Sequence, residues 1–178
     1  MGEFRPNIEN LRNLGDVTQA HRWGVSFVKF PQVCSGFTSE AINFRAESIT
    51  IPKLNTPKQD LKIRGTNIKT EGQGEYEGEI TLTCVETVDS TITDFVAQWR
   101  EGSWSQNDQG GGLTRPEEEL FATILLTLLN NQDQPRWFYK LFYCKLAGAE
   151  PGADPGAEAE PFKPALTISY DYFNEWSA

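Results

Sequence analysis

From Glu79 to Val85 the chain alternates without a break: Ile80, Leu82 and Cys84 are separated by Thr81 and Thr83. A period of two places the two sets on opposite faces of an extended strand. Such a strand is half-buried and belongs to an antiparallel sheet with a core on one side. Continued upstream, the same period adds Tyr76 to the apolar face. It adds Glu75, Glu77 and Glu79 to the threonine face, as a ladder of carboxylates on one sheet surface.

Other segments repeat the pattern. Trp23, Val25 and Phe27 alternate within His21–Pro31, and proline ends that strand. Ala41–Ile51 reads as a second strand, stopped by Pro52. Leu120–Leu129 has the propensity for either helix or strand. Its length, its threonines and the turn Asn130–Gln134 favour a strand hairpinned to Arg136–Ala147. Ala165–Phe173 closes the set, with Leu166, Ile168, Tyr170 and Tyr172 on one side. Trp137–Leu146 is apolar on both faces. A strand covered on both sides lies between layers or in an interface, the first hint of self-association.

One helix stands out after Val88. Ile92, Phe95, Val96 and Trp99 form an apolar stripe. Asp89 or Ser90 is placed to cap it, Asp94 sits in its first turn and Gly102 is placed to stop it. The expected fold is therefore mainly β: a small antiparallel β-barrel or sandwich with one flanking helix and a long protruding hairpin loop. At 178 residues the chain fits one domain, and burial of about 70% of its unfolded surface needs no metal or disulfide. Residues 1–20 read as an N-terminal arm and 21–178 as a single domain. Within it, 52–74 is the protruding loop, 101–115 a polar linker and 148–164 an acidic Pro/Gly-rich loop.

Composition narrows function mainly by exclusion. A net charge of −9 opposes a grip on phosphates, which needs clustered Lys and Arg. The longest apolar run is too short to span a bilayer, and Met1–Pro6 lacks a secretory h-region, so folding in a cytosol without a membrane anchor is expected. Cys34, Cys84 and Cys144 show no C-x-x-C spacing. Cys84 and Cys144 read as buried hydrophobes; Cys34, in a turn-like stretch, reads as an exposed thiol open to an intermolecular disulfide. His21 is the one histidine and reads as a surface or interface residue, so a nucleophile–base–orienter set has no second candidate base of its kind. No cluster has metal-ligand spacing, and no catalytic residue, metal or cofactor is expected. Gly110–Gly112 lacks the Lys-Ser/Thr of a phosphate loop. The tryptophans are scattered, which favours core packing over the paired platforms of a carbohydrate-binding module.

The order of these elements carries a resemblance. It runs from Arg22-Trp23-Gly24-Val25-Ser26-Phe27, through Ser48-Ile49-Thr50-Ile51-Pro52 and the basic hairpin loop, to Gly78–Glu86. A helix ending Phe95-Val96-Ala97-Gln98-Trp99 follows, then Phe142–Pro151 and Leu166–Phe173. Over residues 20–175 this resembles the tail tube proteins of contractile-tailed bacteriophages, which are related in fold to type VI secretion tube proteins. The resemblance implies a non-enzymatic subunit of stacked hexameric rings around a lumen through which DNA passes without specific binding. It implies contacts with its own copies, a tail sheath protein and a baseplate or tube initiator, in a virion tail assembled in the host cytoplasm. Glu75, Glu77 and Glu79 would face the lumen, and Lys58, Lys62 and Arg64 would make contacts between rings. Other readings are an initiator, baseplate or secretion-tube subunit of the same fold, and a monomeric carbohydrate-binding β-module.

Overall fold

The structure, a computed structural model, describes residues 19–103, 115–150, 152 and 160–178. Most of the arm, the Gly110–Gly112 linker and most of the acidic loop lie outside the described residues. Seven strands form one coiled antiparallel sheet. They are β1 (Trp23–Lys29), β2 (Ala46–Ile49), β7 (Glu79–Cys84), β8 (Ala122–Leu129), β9 (Pro135–Glu150), β10 (Ala165–Ser169) and β11 (Tyr172–Ser177). Their order is β1-β8-β9-β10-β7-β2, with β11 also on β9. Two small ribbons stand apart: β3 (Leu54–Asn55) with β6 (Glu75–Tyr76), and β4 (Lys58–Ile63) with β5 (Thr66–Glu71).

The long strand β9 turns this sheet into two layers. Its first half pairs with β8 and β11, its second half with β10. Between the halves the register shifts: Ile124 faces Leu141, but Ala122 faces Cys144. The extra residue is a β-bulge, and Tyr143 sits at φ 53 within it. A second shift opposite Thr167/Ile168 bends β9 again. The strand can therefore leave one layer and enter the other, and the apolar faces close on each other. Val25, Ile80, Leu82, Ile124, Leu141, Leu166 and Ile168 fill the space between.

Helix α2 (Thr91–Ser103) closes one end of this core. Ile92, Phe95, Val96 and Trp99 are buried, as the stripe requires. Phe95 and Trp99 meet the Phe27 ring at 5.6 and 6.3 Å, and the Trp99 indole donates to Leu120 O at 3.2 Å. Ser90 stands at the N-cap, its carbonyl accepting from Asp94 N at 2.9 Å, but the first-turn amides are filled from elsewhere. Glu86 reaches forward and accepts from Ile92 N at 3.2 Å and from Thr93 N at 2.7 Å, filling the orphan donors of the first turn. Gly102 does not stop the helix, which runs to Ser103; it is buried, and a Cβ there would lie 2.8 Å from both Val33 methyls. A side chain at 102 overpacks that contact. Gly102→Val is expected to lower stability by about 2–3 kcal/mol, read from urea melts.

Several sequence expectations change. Ala41–Asn43 is helical, not extended: α1 (Ser39–Asn43) starts at Thr38, whose hydroxyl accepts from Ala41 N. The ladder of Glu75, Glu77 and Glu79 is not one strand. Gly78, at φ 79, breaks it, so Glu75 lies in β6 and Glu79 in β7, in different sheets. Glu77 lies between them and pairs with Lys53 at 3.4 Å. The last strand breaks at Tyr170–Asp171 and its phase slips, so Phe173 rather than Tyr172 continues the buried row. Gly148–Glu150 belongs to β9, not to the loop.

Cys34 is also corrected. A 3-10 turn, Gln32–Cys34, carries its thiol inward to Phe95 O at 3.8 Å, and it is fully buried like Cys84 and Cys144. Burial pushes all three thiols up to about 12. Each is then a poor nucleophile and none can reach a partner chain. A thiol reagent is expected to leave the native protein unlabelled at neutral pH and to label all three cysteines in urea.

Candidate assembly interface

Among the described residues, no group of three His, Cys, Asp or Glu could hold a metal ion, and none of the described helices is long and apolar enough to cross a membrane. The distinctive surfaces are instead strand edges and bare apolar faces.

An unpaired edge strand invites another chain. At β1 that invitation is withdrawn locally. Ser39 and Asn43, one turn apart on α1, accept from Phe27 N and Val25 N, each at 2.8 Å. Period four on the helix thus matches period two on the strand. Sequence reading missed this because α1 lay inside an expected strand.

The hairpin β4–β5 is the opposite case. Its turn, Arg64–Gly65, has φ values of 49 and 86, the two positive values that a tight two-residue hairpin requires. Nine of its twelve paired positions are polar or charged, yet one face carries Leu61, Ile63 and Ile68. They are 47%, 54% and 46% exposed. The other face carries Lys58, Asp60, Lys62, Lys69 and Glu71, and Arg64 stands at the tip. All three expected contact residues, Lys58, Lys62 and Arg64, are exposed on this one element. The hairpin has a net charge of +2 in a chain of −9.

A second bare face lies on the body. Leu141 and Phe173 point inward from β9 and β11, so their neighbours point outward. Phe138 stacks on Trp176 at 5.3 Å, and Phe142 stacks on Tyr172 at 4.8 Å. Lys140 lies between these pairs, with its ammonium 5.2 Å from the Phe142 ring centre. Trp99 is a core residue, as expected for scattered tryptophans, but Trp176 is 41% exposed in this paired platform. The doubly apolar composition of β9 was the sequence signal for it. The pairing with β11 was not readable, because it depends on the slip at Asp171.

Glu75, Glu77 and Glu79 are all exposed near the base of the hairpin, while Cys34 is buried. His21 is exposed where the layers part between β1 and β2, beside Trp23, Ile49 and Leu128. A network precedes α2. Thr87 and Thr91 hydroxyls donate to Asp89, and Arg45 bonds it at 3.0 Å; together they hold its carboxyl at about 2. Glu86 is raised by burial, but the Thr93 hydroxyl and the Thr93, Ile92 and Thr87 amides outweigh that and hold it below 4.5. A carboxyl depressed by folding stabilises above its unfolded value and loses that contribution as pH falls through its folded value. Wild type is therefore expected to lose stability below about pH 4.5 more steeply than Glu86→Gln, in urea melts across an acid series.

The fold these elements build is shared with chains of contractile injection systems. The chain is similar, at TM-score 0.60 and 14% identity, to a chain of the anti-feeding prophage baseplate, covering 91% of this chain and 97% of that one. It is similar, at TM-score 0.59 and 12% identity, to a chain of the sheath–tube complex of an extracellular contractile injection system, covering 98% and 100%. A chain of that system's sheath/tube terminator matches at TM-score 0.59 and 12% identity, covering 92% and 99%. The sequence matches no protein-family model and no curated protein.

Proposed function

We propose that this chain is a structural, non-enzymatic subunit of the tube in a contractile tail or injection machine. Copies would form hexameric rings that stack, inside a sheath and upon a baseplate or initiator. The observation that carries this reading is the projecting hairpin with its uncovered Leu61–Ile63–Ile68 face, on a fold otherwise found in such tubes. A two-stranded ribbon is marginal alone and gains its stability from what it covers.

In this reading the lumen conducts DNA into a host, and Glu75, Glu77 and Glu79 face it, where carboxylates keep a polyanion sliding. Lys58, Lys62 and Arg64 make salt-sensitive contacts with an adjacent ring, each weak and repeated by symmetry. The subunit is then assembled in the host cytoplasm and resides in the virion tail.

Electron microscopy of the purified protein, over a range of concentration and salt and with a baseplate template, tests the proposal. Hollow tubes of stacked rings are the expected result. Single rings that cap a template without growing would favour a terminal ring protein, the reading that the baseplate and terminator likenesses support. A monomer that ignores the template and binds glycans would overturn the proposal.

A further inference from the structure

We infer that the aromatic face of β9 and β11 is the seat for the hairpin β4–β5 of a second copy. The inference rests on the self-assembly proposed above and adds which surfaces meet.

The argument begins with what each face lacks. Phe138, Phe142, Tyr172 and Trp176 form two stacked pairs on a sheet surface that no element among the described residues covers: Tyr172 and Trp176 are exposed, and Phe138 and Phe142 are half-buried beneath them. Exposed apolar patches of this kind mark interaction sites. A flat sheet face is covered best by another sheet, whose side chains interdigitate at a layer spacing of about 10 Å. The hairpin offers such a partner: its bare face presents Leu61, Ile63 and Ile68 with Thr66, and no charged side chain. The Lys140 ammonium, already over the Phe142 ring, meets no like charge there.

Charge favours another copy of this chain as the source. The hairpin is basic at net +2 while the rest of the chain carries −11, so the hairpin is the part of one copy that the acidic body of another attracts. Symmetry favours hairpin-on-face over face-on-face. Two aromatic faces pairing with each other make a closed dimer, whereas a hairpin seated on a different surface of the next copy leaves that copy's own hairpin free. Only the second arrangement propagates.

The test uses full chains. One variant charges the seat (Tyr172→Asp with Trp176→Glu) and another charges the hairpin (Leu61→Glu with Ile68→Glu). All these positions are exposed, so circular dichroism and thermal melts should match wild type. Each variant alone is expected to stay monomeric, or to need at least about tenfold more protein to assemble. Mixed in equal amounts, they retain one intact contact between them and should form a heterodimer without tubes. A disulfide between Thr66→Cys on one chain and Asn174→Cys on the other would trap it, since the native thiols are buried.

A seat variant that builds tubes like wild type overturns the inference and leaves the tube reading standing. So does a mixture with no heterodimer, or Asn174→Cys chains that link mainly to each other. Wild type that never assembles, even on a template, brings down the tube reading itself.

Discussion

Replacing Trp99 with alanine is expected to cost about 3–5 kcal/mol, a large share of the roughly 5–15 kcal/mol that holds a domain folded. Trp99 is fully buried. Its ring packs against Phe95 at 5.4 Å and Phe27 at 6.3 Å, and its indole satisfies the carbonyl of Leu120. Alanine removes the ring contacts, leaves a cavity and strips that carbonyl of its partner in a place water does not reach. The rings around it also hold the turn that buries Cys34, since Phe37 and Phe95 lie 5.3 Å apart above it. Thiol labelling of Cys34 in the native buffer should therefore rise in step with the loss of stability. Trp99→Phe separates the two losses: it keeps most of the volume and loses the Leu120 bond, so its cost should fall to about 1–2 kcal/mol. Urea melts of both variants check the order. Equal effects would place the whole contribution in the hydrogen bond and contradict the packing account.

What the sequence made legible follows from burial on one side only. In β7 one face meets the core and the other does not, so composition reports the period directly. The stripe of α2 was readable for the same reason. Reading failed where tertiary contacts choose between local options. Ala41-Ile42-Asn43 is compatible with a strand until Asn43 is needed to cap the edge of β1. Glu75–Glu79 keeps a strand-like period, yet Gly78 at positive φ ends one ribbon so that β7 can join another sheet. Cys34 sits among residues typical of a turn, and it is in a turn, but one whose apolar side is pressed against Phe95. Tyr170–Asp171 shifts the phase of the last strand by one, and a one-residue shift exchanges faces. That exchange is why an alternation predicting Tyr172 inside finds it outside, stacked on Phe142. The assembly surfaces were half legible. The basic hairpin could be read from its punctuation and charge, whereas its seat depended on a register that no local pattern encodes.

Deleting the hairpin should separate folding from assembly more sharply than any point substitution. Excision of residues 58–71, with Pro57 joined to Gly72 through a short glycine link, is expected to abolish tube growth. The same excision should change the stability of the body by less than about 1 kcal/mol. The geometry allows the join: Gly72 N already donates to Pro57 O at 2.8 Å, and a Cβ on Gly72 would lie 2.3 Å from that oxygen. The chain ends are thus in contact before the excision, and a link of two residues closes them with little loop entropy. The ribbon of β3 and β6 below remains intact, with Leu54 opposite Tyr76. Ring contacts hold Tyr76 against Phe173 at 5.3 Å, which ties that ribbon to the body. The hairpin contributes no buried side chain to the core, so its removal subtracts little from folding. It also makes the net charge more negative, from −9 to −11, since a segment of +2 is lost, and like charge then further disfavours association. Sedimentation and urea melts on the same preparation read the two effects separately. A truncated chain that unfolds would mean the hairpin stabilises its own subunit, and a truncated chain that still builds tubes would move the growth contacts to the free edges of β2 and β11.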